Sequence, residues 1–93
     1  MRSTSSPRNA EATSLVELRL TLADAVRRLR KERHLTQVQL AELLGSSQSR
    51  IAKVEAADDS VSLDLLIRSF LAMGATTRDL AKVIEDSGPA HAA

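Results

Sequence analysis

The chain has 93 residues, of which 43% are hydrophobic and 27% charged, with no cysteine, tryptophan or tyrosine. This composition indicates one small globular domain and excludes a disulfide-stabilised scaffold and a thiolate metal site. The net charge of +1 conceals an asymmetry, because residues 27–53 hold seven Lys/Arg against two Asp/Glu, whereas residues 54–93 hold three against seven. Charge alone favours solvated helix faces over a polyanion-binding face for the basic middle.

The two ends of the chain differ from its middle. Residues 1–9 are polar, aperiodic and interrupted by Pro7, which predicts a flexible arm, and residues 88–93 predict a flexible tail after Gly88-Pro89. Residues 10–87 are expected to form the domain. No apolar run approaches the roughly 18 residues of a membrane helix, and no apolar signal core follows the start. We therefore expect a cytoplasmic protein that does not bind membranes.

The first periodic segment runs from Ala10 to Arg33. One helical face collects most of its apolar residues, namely Leu15, Leu18, Leu22, Ala25, Val26 and Leu29. Residues 16–22 also alternate apolar and polar side chains, as a strand would. We favour a helix, because the residues are good helix formers and no second strand is visible. A second apolar stripe of Val16, Leu20 and Ala23 would then face another chain.

Four shorter helices are predicted after it. Thr36 and Gln39 form a capping box that starts a helix ending at Gly45, and Ser47 caps a third helix from Gln48 to about Ala56. The fourth and fifth helices begin after Ser62 and Thr76 and end near Met73 and Asp86, and Asp79 completes a second capping box. The residues predicted to face inward are Ile51, Val54, Leu63, Leu66, Phe70 and Met73.

The second and third helices are separated by only Gly45-Ser46-Ser47, which is the spacing of a helix-turn-helix. Gly45 tolerates the positive φ that the turn requires, and Ala41 is small enough for the two helices to cross closely. The third helix begins with polar residues, as a helix that faces base edges would.

With this turn in place, residues 22–74 resemble the Cro/cI-type (XRE) helix-turn-helix family of bacterial and phage regulators. The resemblance lies in an ordered set of residues: Leu29-Arg30, Leu35-Thr36-Gln37, Leu40-Ala41, Leu44-Gly45, Ser47-Gln48, Ile51, Val54-Glu55, and Ser62-Leu63 to Leu66 and Gly74. It implies an all-α, five-helix lambda-repressor-like fold with an extended first helix and the helix-turn-helix at about residues 36–56. The resemblance also implies a bacterial cytoplasmic protein that is associated with the nucleoid when it is bound to DNA.

The resemblance also implies a set of DNA-binding residues: Gln37, Ser47, Gln48, Ser49, Arg50 and Lys53. Gln37 matches a residue that contacts a phosphate and braces the first glutamine of the recognition helix, here Gln48. A glutamine can pair bidentately with adenine, and Lys53 would favour guanine. Ser49 would face a base edge, whereas Arg50 could reach either a phosphate or a base.

Two further features follow from the resemblance. Arg30 and Glu55 match the ion pair that ties the first helix to the recognition helix in the family. His34 and Ala57 occupy positions where many members have glycine, and the acidic Asp58 and Asp59 follow in a loop that often touches the DNA backbone. Close phosphate contact by this loop is therefore not expected.

The sequence predicts a double-stranded-DNA-binding transcriptional regulator, a homodimeric repressor that needs no cofactor or metal. The alternative is an antitoxin of the HigA type, which binds a toxin protein as well as its operator. No catalytic motif occurs and both histidines are isolated, so an enzyme is not expected. Dimerisation is predicted through apolar residues outside the shared core, namely Val16, Leu20, Ile67, Leu71, Val83 or Ile84.

Overall fold

The computed structural model describes residues 5–87, and the predicted tail and residues 1–4 of the predicted arm lie outside that range. This part of the chain forms five helices and no strand, which confirms the all-α prediction: α1 (Ser5–Glu32), α2 (Gln37–Leu44), α3 (Gln48–Glu55), α4 (Leu63–Ala72) and α5 (Thr77–Ser87). Within residues 5–87, no helix is both long and apolar enough to cross a membrane.

The first helix is longer than predicted. It begins at Ser5 rather than Ala10, so residues 5–9, assigned to the arm from the sequence, are helical. Pro7 does not prevent this, because the first four N–H groups of a helix have no intrahelical acceptor and a proline in the first turn breaks no bond. The alternating segment at residues 16–22 is helical, as the favoured interpretation required.

The predicted capping residues begin the four shorter helices. The Thr36 hydroxyl accepts from the Gln39 N–H at 3.0 Å, and the Gln39 side chain accepts from the Thr36 N–H at 2.8 Å. Ser47 and Ser62 accept from the N–H groups of Arg50 and Leu65. These bonds satisfy donors that would otherwise be orphaned at the helix starts.

The core lies where α1 crosses the other helices. Its fully buried members include Leu22, Val26, Leu40, Ile51 and Leu66. Helix α2 packs on α3 and α4, and α5 packs on α1 and α4. Val61, in the loop before α4, is also buried and closes the core from that side.

The predicted stripes on α1 are wrong at two positions. The helical period predicts Leu15 in the core, but it is half exposed. The same period predicts Ala23 on the outer stripe, but it is buried. With 28 residues, α1 is about 42 Å long, whereas the other helices have 8–11 residues. The α1 residues in or against the core run from Leu18 to Leu29, and among them the small Ala23 lies in the core.

Two buried positions on α4 are not predicted by the sequence pattern. Leu65 and Ser69 are both buried, beside the predicted Leu66, Phe70 and Met73. The Ser69 hydroxyl donates to the Leu65 carbonyl at 2.7 Å, so its burial leaves no unsatisfied group. Leu63, predicted to face inward, is only partly buried.

Candidate nucleic-acid interface

Helix α3 presents one apolar and one polar face. Ile51 and Val54 are fully buried, whereas Gln48, Ser49 and Lys53 are exposed on the opposite side. Because successive helical residues turn by about 100°, three polar residues at these spacings lie on one outward face, with Gln48 and Ser49 in the first turn and Lys53 in the last. An exposed polar face of this kind is what a recognition helix offers to a DNA groove.

The turn before α3 sets the angle at which that face is presented. Gly45 has φ 65° and ψ 37°, which is the left-handed conformation predicted for it. The Ser46 N–H donates to the Ala41 carbonyl at 2.8 Å, and this bond closes the end of α2. Ala41 is buried, so the two helices meet closely at its small side chain.

Four polar side chains from α1, α2 and α3 form a continuous chain of hydrogen bonds, here called the relay: Arg30, Glu55, Gln37 and Gln48. Gln48 Nε2 donates to Gln37 Oε1 at 2.7 Å, and Gln37 Nε2 donates to Glu55 Oε1 at 3.1 Å. Arg30 donates to both Glu55 oxygens, from Nε at 2.5 Å and from Nη2 at 3.0 Å. The relay joins the two ends of α3 through the start of α2.

The buried end of the relay is its ion pair. The side chains of Arg30 and Glu55 are 13% and 6% exposed. The hydrogen bonds to Glu55 raise the pKa of Arg30 above its already high ordinary value, so Arg30 keeps its charge. Arg30 Nη1 also donates to the Leu35 carbonyl at 2.9 Å, which ties the turn between α1 and α2 to the same pair.

The other residues predicted to contact DNA differ in whether their side chains are engaged within the protein. The Ser47 hydroxyl caps α3 and lies 3.3 Å from that of Ser49, so Ser47 is committed to the helix start. Arg50 and Lys53 are exposed. The structure thus places the predicted residues on α3, at its cap and at the start of α2.

Two residues that hold loops were missed from the sequence. Arg19 Nη2 donates to the Asp58 carbonyl at 2.8 Å and also to the Val61 carbonyl, so α1 fixes the loop between α3 and α4. Arg33 Nε donates to the Met73 carbonyl at 3.1 Å at the end of α4. An arginine on an amphipathic helix gives no signal in the sequence that its partners are carbonyls about 40 residues away.

Among known families, a helix-turn-helix model (HTH_3) matches residues 26–83, which is 58 of the 93 residues. The match includes α2, α3, α4 and both ends of the relay. The chain belongs to the Cro/cI-type (XRE) helix-turn-helix family. It is accordingly a DNA-binding transcription regulator.

Comparisons with curated proteins and with solved structures found no match. For this XRE-family regulator, the function therefore rests on the family match.

Proposed function

We propose that this XRE-family regulator is a sequence-specific repressor that places α3 in the major groove and binds its operator as a dimer. The observation that carries the proposal is the exposed polar face of α3, on which the Gln48 side chain is fixed by its bond to Gln37. Holding a reading side chain in place before binding lowers the conformational entropy lost on DNA. Occupation of an operator by a dimer would then exclude other proteins from the same duplex.

The proposed contacts divide into base reading and phosphate binding. Gln48, Ser49 and Lys53 are proposed to face base edges, where glutamine favours adenine and lysine favours guanine. Gln37 and Arg50 are proposed to contact phosphates, which set the register of the protein on the duplex. Ser47 would contribute through its cap, which keeps the first N–H groups of α3 ordered near the DNA.

Selection of bound duplexes from a random pool tests the proposal. We expect a two-fold-related site whose half-sites are about 34 Å apart, the distance of one helical turn. Gln48→Ala and Lys53→Ala should each lose about 1–3 kcal/mol of binding free energy against that site and relax the preference at one base pair. Fluorescence anisotropy on the site and on its single-base variants measures both effects.

Arg68→Ala is the matched control for Lys53→Ala. Arg68 is an exposed cation on α4, 4.0 Å from Asp64, and lies outside the proposed interface. We expect it to leave the base preferences unchanged. If no duplex binds more tightly than random DNA at physiological salt, the reading of sequence by α3 is refuted.

A second function, that of an antitoxin, is favoured by one observation. Val16 and Leu20 are each 56% exposed on α1. An apolar face of this kind suits a toxin subunit as well as a second copy of the chain. A neighbouring gene for a small toxin, whose product co-purifies with the protein and loses that association in Leu20→Glu, would support this function over simple repression.

A further inference from the structure

The chemistry of Glu55 determines the orientation of the whole relay. An ionised carboxylate can only accept hydrogen bonds, and Glu55 accepts two from Arg30 and one from Gln37. Gln37 must therefore turn its NH₂ group, and not its carbonyl, toward Glu55. The other two bonds come from the guanidinium of Arg30, which is itself only a donor.

The orientation of Gln37 in turn determines that of Gln48. With its NH₂ group facing Glu55, Gln37 offers its carbonyl oxygen to Gln48, and only the NH₂ group of Gln48 can answer it. One N–H of Gln48 is used in this bond. The second N–H and the Oε1 atom remain available, and together they form the donor–acceptor pair that matches adenine N7 and N6.

We propose that Glu55 is a positioning residue that selects the base read by Gln48, acting through Gln37. This inference rests on the proposed reading of DNA by α3. Glu55 is itself buried, so it acts only by fixing which atoms of Gln48 point outward. In the opposite orientation the donor and the acceptor of Gln48 would exchange places, and the pair would no longer match adenine N7 and N6.

Reversal of the polarity at residue 37 tests the relay while the ion pair stays intact. Lysine offers only donors, so in Gln37→Lys the ammonium donates to Glu55 and to Gln48 Oε1, and the Gln48 NH₂ group is turned outward. We expect the preference for adenine over guanine at the base pair contacted by Gln48 to fall at least about tenfold. Anisotropy titrations on the two duplexes give this ratio.

Val38→Lys is the matched control. Val38 is 52% exposed on α2 and lies outside the relay. A lysine at this position adds the same charge as Gln37→Lys, one residue further along the chain. The added charge should strengthen binding to both duplexes equally, because attraction to phosphates carries no sequence information. The base ratio should therefore stay at the wild-type value.

Glu55→Gln provides a second perturbation, since its amide can turn either oxygen or nitrogen toward Gln37. The ratio should again fall toward one, by about tenfold. This variant leaves the buried Arg30 charge without its partner, so its stability is measured in parallel. If Glu55→Gln does not fold, the test rests on Gln37→Lys alone, because residue 37 is only half buried.

The side-chain amide resonances of Gln48 report on the relay without DNA. Gln37→Met removes the acceptor, so the Gln48 NH₂ resonances should shift in NMR spectra of the free protein. If the selected site depends on Gln48 but the ratio of adenine to guanine affinity is unaltered in Gln37→Lys, the role of Glu55 is overturned. The proposed function would then still stand. A wild type that prefers no duplex would overturn the proposed function and the effect on base choice, whereas unchanged Gln48 resonances would overturn the relay itself.

Discussion

At the scale of single residues, the same hydrogen-bonded ending closes α1, α2 and α3. Each has a residue with positive φ after the helix, and the next residue donates to a carbonyl five positions back: Leu35 to Arg30, Ser46 to Ala41 and Asp58 to Lys53. The positive-φ residue is glycine only in α2, whereas α1 and α3 use His34 at φ 58° and Ala57 at φ 55°. A side chain in this region is strained by contact of its Cβ with the backbone.

Ala57→Gly should therefore stabilise the fold. Relief of the strain contributes about 1–2 kcal/mol, and the greater entropy of glycine in the unfolded chain offsets about 0.4–1 kcal/mol of it. We expect the free energy of unfolding to rise by about 0.5–1 kcal/mol, measured by urea denaturation.

Ala56→Gly is the control for this prediction. Ala56, one residue earlier, has φ −90° and ψ 1°, where alanine is not strained. It should lose stability through the unfolded-chain entropy alone. A less stable Ala57→Gly protein would contradict the account of strain at residue 57.

At the scale of elements, the short helices depend on their caps. Helix α5 begins with reciprocal bonds, in which the Thr76 N–H donates to Asp79 Oδ2 at 2.8 Å and the Asp79 N–H donates to the Thr76 hydroxyl at 3.1 Å. The bonds from Thr76 to the carboxylate lower the pKa of Asp79 below its ordinary value. The folded protein thus prefers the ionised form of Asp79.

This preference makes the stability of the domain depend on pH. A carboxyl group whose pKa is lowered by folding stabilises the protein above its unfolded pKa, and the contribution is lost as the pH falls through the folded value. Asp79→Asn should reduce the free energy of unfolding at neutral pH, and the difference from wild type should shrink as the pH falls below the ordinary aspartate pKa of about 3.9. Urea denaturation at neutral and at acid pH measures it.

Asp86→Asn removes the same charge near the other end of α5. No N-terminal cap is lost there, and a negative charge near a helix C-terminus is unfavourable. This variant should not reduce stability at neutral pH. A deficit in Asp79→Asn that is equally large at acid pH would show that the charge of the cap does not contribute.

At the scale of the whole molecule, charge is divided between the helices. The basic residues of the middle segment lie on α1, directly after it and on α3, and α4 and α5 carry the acidic Asp64, Asp79, Glu85 and Asp86. Arg30 is already neutralised by Glu55, so it adds little to the field that draws DNA toward α3. Exposed cations such as Arg50 and Lys53 are left to supply that attraction.

Binding to the operator should weaken as salt rises, with a log–log slope of about −0.9 for each phosphate neutralised. Arg50→Ala should make the slope shallower by about 0.9 and weaken all duplexes alike, because we assign Arg50 to a phosphate. Anisotropy titrations at a series of salt concentrations measure the slope. An unchanged slope with a relaxed preference at one base pair would assign Arg50 to a base instead.

The exposed apolar residues of α1 carry the prediction of a dimer. Of the residues predicted to form the interface, Ile67, Leu71 and Val83 pack partly against the core, whereas Val16 and Leu20 are exposed. Leu20→Glu should dissociate the dimer and weaken operator binding, because two linked half-sites bind more tightly than one. Light scattering of the free protein and of the complex measures the mass.

Leu43→Glu is the matched control, since Leu43 is 55% exposed on α2 and Leu20 is 56% exposed on α1. It should leave the mass unchanged. A wild-type protein that is monomeric both free and on DNA would contradict dimerisation through any of these residues.

The sequence by itself determined the features that depend on neighbouring residues. Caps, helix ends and the turn at Gly45 are local, because a hydroxyl or amide reaches a backbone N–H three residues away without help from the rest of the chain. The helical period likewise placed Ile51 and Val54 in the core and Gln48 and Lys53 outside it. The ordered set of motif residues was enough to identify the family.

Only the tertiary structure decided the features that depend on how the helices pack. The exposure of Leu15 and the burial of Ala23 follow from where the shorter helices end along α1, which no periodicity encodes. The bonds of Arg19 to the loop before α4, and of Gln37 to Glu55, join residues 18 to 42 positions apart. Such bonds form only after packing has brought the groups together, so the relay that orients Gln48 is a property of the fold.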